Sequence, residues 1–349
     1  MQYRFLGVTD IQASVIGLGT YPLGGWMWGG TDESAAIRTI QAALDYGINL
    51  IDTAPMYGYG LAEEIVGKAI RDRRSQAVVA TKCGIVWDTK DWASGKGELH
   101  FYADKNGLTQ HTNHYRFYRY LKPESIIGEV EASLKRLQTD YIDLLQTHAQ
   151  EHTTPIEETM AALEKLRDQG KIRAVGSSNV TKTQLENYCN SGTLDSTQEP
   201  YSFINRSIET KGLLEACRLN KVSFLAYTPL EQGLLTGTLC PNFQYPEGDF
   251  RKHDPRFTPE NVNRINTALE RLKPIQERHG FSTSQLMLSW TASRYDKMHV
   301  LCGMRNATRI AENAKAGTVI LSENEMQLMD QLFDFNFQTS AKLAKLVSA

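Results

Sequence analysis

Three side chains in the first quarter of the chain have the types needed to move a proton together. The segment Leu50-Ile51-Asp52-Thr53-Ala54-Pro55-Met56-Tyr57 carries an acid where a short apolar run ends and a phenol just beyond a proline. Pro55 blocks continued strand pairing, which puts Tyr57 on a loop. A second apolar run, Ala77-Val78-Val79-Ala80, ends in Thr81-Lys82. Two neighbouring strands would therefore present a carboxylate, a phenol and an amine at one end of a sheet. A free phenol has a pKa of about 10 and keeps its proton at neutral pH. An ammonium within a few ångströms would lower that value by roughly 1–3 units and make the phenol a usable acid.

The elements that must hold these groups form a regular beat. Residues 2–16 read as a short hairpin around Gly7-Val8-Thr9-Asp10. Short apolar strands follow at 15–20, 48–52, 77–81, 142–147, 172–177, 196–199, 222–227 and 299–302. Between them lie helical patterns at 34–46, 62–70, 123–137, 156–169, 182–190, 211–219 and 285–295, with 307–316 and 323–333 after the last strand. Eight strands alternating with helices predict an α/β fold, a (β/α)8 TIM barrel in a single domain over 1–349. A doubly wound open sheet competes less well, because eight even units use up the chain without a second domain. Two long loops interrupt the beat, 84–121 and 231–260. The first is rich in aromatic and histidine residues (Trp87, Trp92, Phe101, Tyr102, His111, His114, Tyr115, Phe117, Tyr118, Tyr120). Loops of this length are usually lids or are ordered by a neighbouring subunit, which leaves a homo-oligomer open. The tail 338–349 has no turn signals.

In such a barrel, active sites form at the C-terminal strand ends. Those ends read Gly19-Thr20, Asp52, Lys82, His148, Ser178-Asn179, Gln198, Tyr227 and Gly303-Met304-Arg305. Singly, each has a plain explanation: Asp52 a turn cap, Lys82 a solvated or ion-paired amine, His148 a core histidine, Tyr227 barrel packing. Together at one rim, they read as a site.

Composition narrows the function classes. The 349 residues are 41% hydrophobic and 22% charged, with a formal net charge of −2. Nothing in this balance calls for nucleic acid or an anionic membrane. No signal peptide or membrane-spanning stretch is visible, and five scattered cysteines read as reduced thiols, so the expected location is cytoplasmic. The histidines and cysteines show no metal-ligand spacing, so no metal is expected. A Rossmann fingerprint is absent too, since Pro22 follows Gly17-Leu18-Gly19 where a third glycine should stand.

The chain resembles the aldo-keto reductases over nearly its whole length outside the two insertions and the tail. The segments that carry the likeness are GLGT (17–20), GINLIDTAPMYGYG (47–60), ATKCG (80–84), DYIDLLQTH (140–148), GKIRAVGSSN (170–179), AYTPLEQGLLTG (226–237) and GMRNATRIAENAKA (303–316). The resemblance implies that the N-terminal hairpin closes the bottom of the barrel, and it implies a catalytic tetrad at Asp52, Tyr57, Lys82 and His148. Tyr57 would be the general acid or base, Lys82 and Asp52 its activators, and His148 the group that orients the substrate oxygen. It implies a nicotinamide cofactor lying extended across the barrel mouth, NADP(H) with NAD(H) as the alternative. Ser178, Asn179 and Gln198 would take the carboxamide, and Tyr227 would stack on the nicotinamide. Gly19, Thr20 and Asp52 belong to the same rim. The stretch Pro229, Leu230, Gly233, Leu235 would wrap the pyrophosphate. Gly303, Arg305, Arg309, Glu312 and Asn313 would hold the adenosine end. Arg305 and Arg309, four residues apart, could read a 2′-phosphate, although Gly303-Met304 stands where many family members carry a lysine–serine pair.

Trp26 and Trp87 could line a substrate pocket for an aldehyde, ketone or sugar, or could simply pack under the long insertion. The expected partner is a small carbonyl or alcohol. Two further readings stand beside the reductase: a cofactor-sensing regulatory subunit with little turnover, and a barrel aldolase using Lys82 as a Schiff base. The second needs a lysine of lowered pKa, against which Asp52 would act.

Overall fold

The structure is a computed structural model describing residues 1–88, 97–103, 115–247 and 249–337. It opens with an antiparallel hairpin, β1 (Tyr3–Phe5) and β2 (Gln12–Ser14). Three strands follow, β3 (Ile16–Gly19), β4 (Leu50–Asp52) and β5 (Val78–Cys83). The long insertion supplies β6 (Ile85–Asp88), β7 (Glu98–Ala103) and β8 (Tyr115–Arg119). Then come β9 (Ile142–Thr147), β10 (Ile172–Ser178), β11 (Ser196–Pro200), β12 (Ser223–Tyr227) and β13 (Met298–Gly303). β3, β4, β5, β9, β10, β11, β12 and β13 close, in that order, into one parallel barrel, with helices between successive strands. The expected TIM barrel is observed.

Strand periodicity builds the interior in layers. Leu50, Val78, Ala80, Leu144, Ala174, Leu225 and Leu301 form an apolar cluster with Leu6, Ile11 and Ala13 of the hairpin. Two residues further along the strands, the same alternation changes chemistry: Leu50 gives way to Asp52, Ala80 to Lys82, Leu144 to Gln146. The dry floor and the polar upper layer thus follow from one spacing.

The hairpin is fastened to the bottom of the barrel. Gly7 N–H donates to Ser223 Oγ at 2.8 Å, and Lys297 Nζ donates to Gly7 O at 2.6 Å. Gly7 sits at φ +53°, and a Cβ there would lie 2.6 Å from the Asp195 backbone, so the turn needs glycine twice over.

Two expectations need correction. Residues 84–121 are not simply a long loop: β6, β8 and β7 form a three-stranded antiparallel sheet in that order. Its strands are rich in aromatic residues, which favour a pleated, half-buried surface. Trp92, His111 and His114 lie outside the described residues, as does the tail 338–349. In the second insertion, short 3-10 turns occupy Glu231–Thr236, Phe250–His253 and Pro255–Phe257. Helices at Pro259–Leu269 and Lys273–His279 were not expected from the sequence. No helix among the described residues is long and apolar enough to cross a membrane.

Candidate active site

Asp52, Lys82, Tyr57 and His148 meet at the C-terminal end of the barrel. β4 pairs with β5 in parallel, with Asp52 opposite Ala80, so Lys82 reaches back over the carboxylate from two residues further on. Lys82 Nζ donates to both Asp52 oxygens at 2.8 Å, to Thr53 O at 2.9 Å and to Tyr57 Oη at 3.2 Å. The ammonium also lies 4.9 Å from the centre of the Tyr57 ring. Asp52 and Lys82 are buried, whereas Tyr57 is only partly buried. The His148 ring stands edge-on to Tyr57 at 6.0 Å between centroids, and its backbone N–H donates to Cys83 O at 2.8 Å.

The electrostatics depart from the expected lowering of the phenol. Burial holds Tyr57 well above its ordinary value, and the Asp52 charge adds to the rise. The two 2.8 Å bonds from Lys82 to Asp52 leave little of the ammonium's charge to offset that rise. Burial pulls Lys82 below its ordinary value, while Asp52 and Glu63 oppose that pull. His148 is held well below the usual imidazole range by burial, with Lys82 and His100 adding to the effect, so its ring is neutral near pH 7.

A second network runs beside the first. Gln198 Nε2 donates to Asp52 Oδ1 at 2.7 Å and to Gln146 Oε1 at 3.3 Å, and Gln146 Nε2 donates to Asp52 Oδ1 at 3.4 Å. Ser178 Oγ donates to Gln198 O at 2.8 Å. Asn179, at φ +55°, donates through Nδ2 to His148 O at 2.9 Å and accepts from Tyr227 Oη at 2.8 Å. Four expected cofactor residues are thus joined to the tetrad. Gln146 was missed; in the sequence it reads as one polar residue inside an apolar strand.

The residues expected at the adenosine end gather at β13 and the helix Ala307–Ala316. Arg305 donates to Trp28 O at 3.1 Å and Gly30 O at 2.8 Å, while Arg309 pairs with Glu312 at 2.6 Å. Asn313 is buried and donates to Cys302 Sγ at 3.2 Å. Arg251, also missed, pairs with Asp249 at 2.7 Å, donates to Gln232 O at 3.1 Å and stacks 5.1 Å from the Trp28 ring centre.

Trp26 and Trp87 belong to one aromatic cluster with Phe117, Phe101, Tyr59 and the Tyr57 ring. Phe101 stacks on Phe117 at 4.4 Å, and Trp26 and Trp87 pack on Phe117 at 5.6 and 6.0 Å. The insertion sheet therefore rests on the loop that carries the phenol.

The match to known proteins decides the family. The family model described as the aldo/keto reductase family matches residues 15–334. The chain belongs to the aldo/keto reductase family. Members are oxidoreductases that interconvert carbonyls and alcohols with a nicotinamide cofactor. This aldo-keto reductase is 41% identical over 333 residues to the NADH-specific methylglyoxal reductase of Escherichia coli, covering 94% of this chain and 97% of that one. It is 39% identical over 332 residues to the aldo-keto reductase YhdN of Bacillus subtilis, covering 94% and 92%. Its fold matches the glycerol dehydrogenase of Gluconobacter oxydans with a TM-score of 0.83 at 34% identity, covering 97% of both chains.

Proposed function

We propose that this enzyme reduces a small aldehyde, ketone or sugar carbonyl, or oxidises the matching alcohol, with Tyr57 as the acid or base and NADP(H) as the favoured cofactor. The observation that carries this reading is the contact set of Lys82 with Asp52, Thr53 O and Tyr57 Oη. A bound reduced nicotinamide supplies the hydride. The carbonyl oxygen then gains charge and needs a proton at that atom. An alkoxide is the conjugate base of a group about as weakly acidic as water, pKa about 15.7. An ordinary phenol, at about 10, is a far stronger acid than that, so Tyr57 Oη–H is the group suited to deliver the proton. Neutral His148 can hydrogen-bond the same oxygen without competing as a charged acid.

Two features support an extended dinucleotide at this rim. Thr20 Oγ1 is buried at the end of β3 without a hydrogen-bond partner. Thr228, Glu231 and Gln232 hold φ of 53°, 45° and 52°, and Gly233 of 110°. Left-handed backbone at a β-branched residue is strained, and such strain concentrates at ligand clamps. Ser178, Asn179 and Gln198 offer amide and hydroxyl groups for the carboxamide, and Tyr227 the ring for stacking. Pro229, Leu230 and Leu235 belong to the wrapping turn. Arg305 and Arg309 favour a 2′-phosphate, but both guanidiniums are already engaged. The expected preference for NADPH is therefore about fivefold, the worth of one exposed charge contact of about 1 kcal/mol, and NADH is also accepted.

Lys82 has its ammonium engaged by four acceptors, which disfavours Schiff-base chemistry. A cofactor-sensing subunit would bind NADPH without turnover. Mixing the protein with NADPH and a reactive aromatic aldehyde should consume the reduced nicotinamide absorbance. Tyr57→Phe should abolish that consumption while NADPH still quenches tryptophan fluorescence; a fully active variant would reject Tyr57 as proton donor.

A further inference from the structure

We propose that Gln146 is a positioning residue for the reaction, holding Asp52, and through it Lys82, in register beneath Tyr57. The proposal rests on the reading of Tyr57 and Lys82 above. Lys82 and Gln146 are paired residues on adjacent parallel strands, β5 and β9, so both side chains enter the barrel from the same level. Gln146 is fully buried. Its direction is fixed by its neighbours: a carboxylate only accepts, so Gln198 must turn Nε2 toward Asp52 and its second N–H toward Gln146 Oε1. The Gln146 amide nitrogen then faces Asp52 Oδ1.

The next strand leaves room for this side chain. A Cβ on Gly176 would lie 2.7 Å from Gln146 Cγ and 2.6 Å from Ser196 Oγ. Gly176 does not carry a positive φ, so its glycine is explained by space rather than by backbone conformation.

The lengths show the division of work. Gln198 holds Asp52 Oδ1 closely at 2.7 Å, and Gln146 stands back at 3.4 Å. Gln198 is also the residue proposed to take the nicotinamide carboxamide. When it turns to do so, a buried carboxylate oxygen loses its short amide donor. Among the side-chain donors to Asp52 in the structure, Gln146 is then the remaining amide. It would hold Asp52 against rotation, and Lys82 would keep its place under the phenol.

The experiment compares Gln146→Met, which keeps length and bulk, with Gln146→Glu, which adds a carboxylate. The ionisable groups around the proton donor are Asp52, Lys82, Tyr21, Tyr227, Glu63 and His148, with His100 behind His148. The expected result for Gln146→Met is a loss of kcat of about tenfold with KM little changed. Its NADPH dissociation constant, read by fluorescence quenching, should weaken less than twofold. Gln146→Glu places a second negative charge beside Lys82 and the phenol and so stabilises their protonated forms. The alkaline limb of its kcat profile should move up by about one pH unit. If Gln146→Met keeps kcat and both limbs of the profile, or Gln146→Glu leaves the alkaline limb in place, the positioning role is wrong. Tyr57→Phe, measured alongside, separates the two readings: if that variant is active, the tetrad assignment has failed irrespective of Gln146.

Discussion

The Tyr57 hydroxyl sits 3.2 Å from an ammonium whose other bonds already neutralise it: Lys82 Nζ gives two 2.8 Å bonds to Asp52 and only a longer one to the phenol. In the proposed reaction the pair would place the phenol more than acidify it. Lys82→Met would leave the Asp52 carboxylate buried without its cation. The expected loss of stability is about 3–5 kcal/mol. The double variant Lys82→Met with Asp52→Asn should recover much of it while remaining inactive. Denaturant unfolding of the full double-mutant cycle measures this, and additive losses would refute the coupling.

His299 should govern part of the acid response. Its Nδ1 lies 3.0 Å from Ser14 O, its Nε2 has no partner, and burial lowers its pKa from 6.5 to about 4. Between those values the unfolded chain binds a proton that the folded chain refuses. Stability is therefore fully present above pH 6.5 and falls as pH drops toward 4, by up to about 3 kcal/mol. His299→Asn should flatten the difference in melting temperature between pH 7 and pH 4 relative to the parent. An unchanged slope would show that another group sets it.

The Arg309–Glu312 pair offers a test of cofactor choice. Glu312→Gln removes the carboxylate that occupies the guanidinium. The ratio of kcat/KM for NADPH over NADH should rise by about fivefold, in keeping with one exposed charge contact. Unchanged ratios would remove Arg309 from 2′-phosphate recognition.

Phe117 is fully buried at the centre of the insertion sheet. Phe117→Ala leaves a cavity worth about 3–5 kcal/mol. Because the sheet is an insertion outside the closed barrel, the cost should appear as local opening. Amide exchange should speed up in β6, β7 and β8 and stay constant in β9 and β10; uniform acceleration would mean that sheet and barrel unfold as one.

Much of this architecture was legible because apolar runs ended in chemistry. Asp52 after Ile51, Lys82 after Thr81 and Gln198 after Thr197 each break an apolar or neutral strand where a barrel opens. Gln146 broke its strand too, but two residues earlier than the rim position His148, so periodicity alone did not set it apart. The sheet β6–β8 was hidden because its strands are far apart in sequence, with residues 89–97 and 104–114 between them. The direction of the Tyr57 shift was not legible at all. It is set first by how deeply the phenol is buried and then by the Asp52 charge beside it, which is a matter of ångströms and not of residue types.

The hairpin at the barrel floor has a consequence for assembly. Gly7 waits for Ser223 and Lys297, 216 and 290 residues downstream. Until those arrive, Leu6 and Ile11 can meet only the part of their apolar cluster that lies on β4, β5, β9 and β10, and the floor stays open. Such distant closure is slow, because the loop entropy is lost before the contacts form. The hairpin residues are thus among the last to find their place, and the growing chain must carry this stopper uncovered until β12 and the residues before β13 have been made.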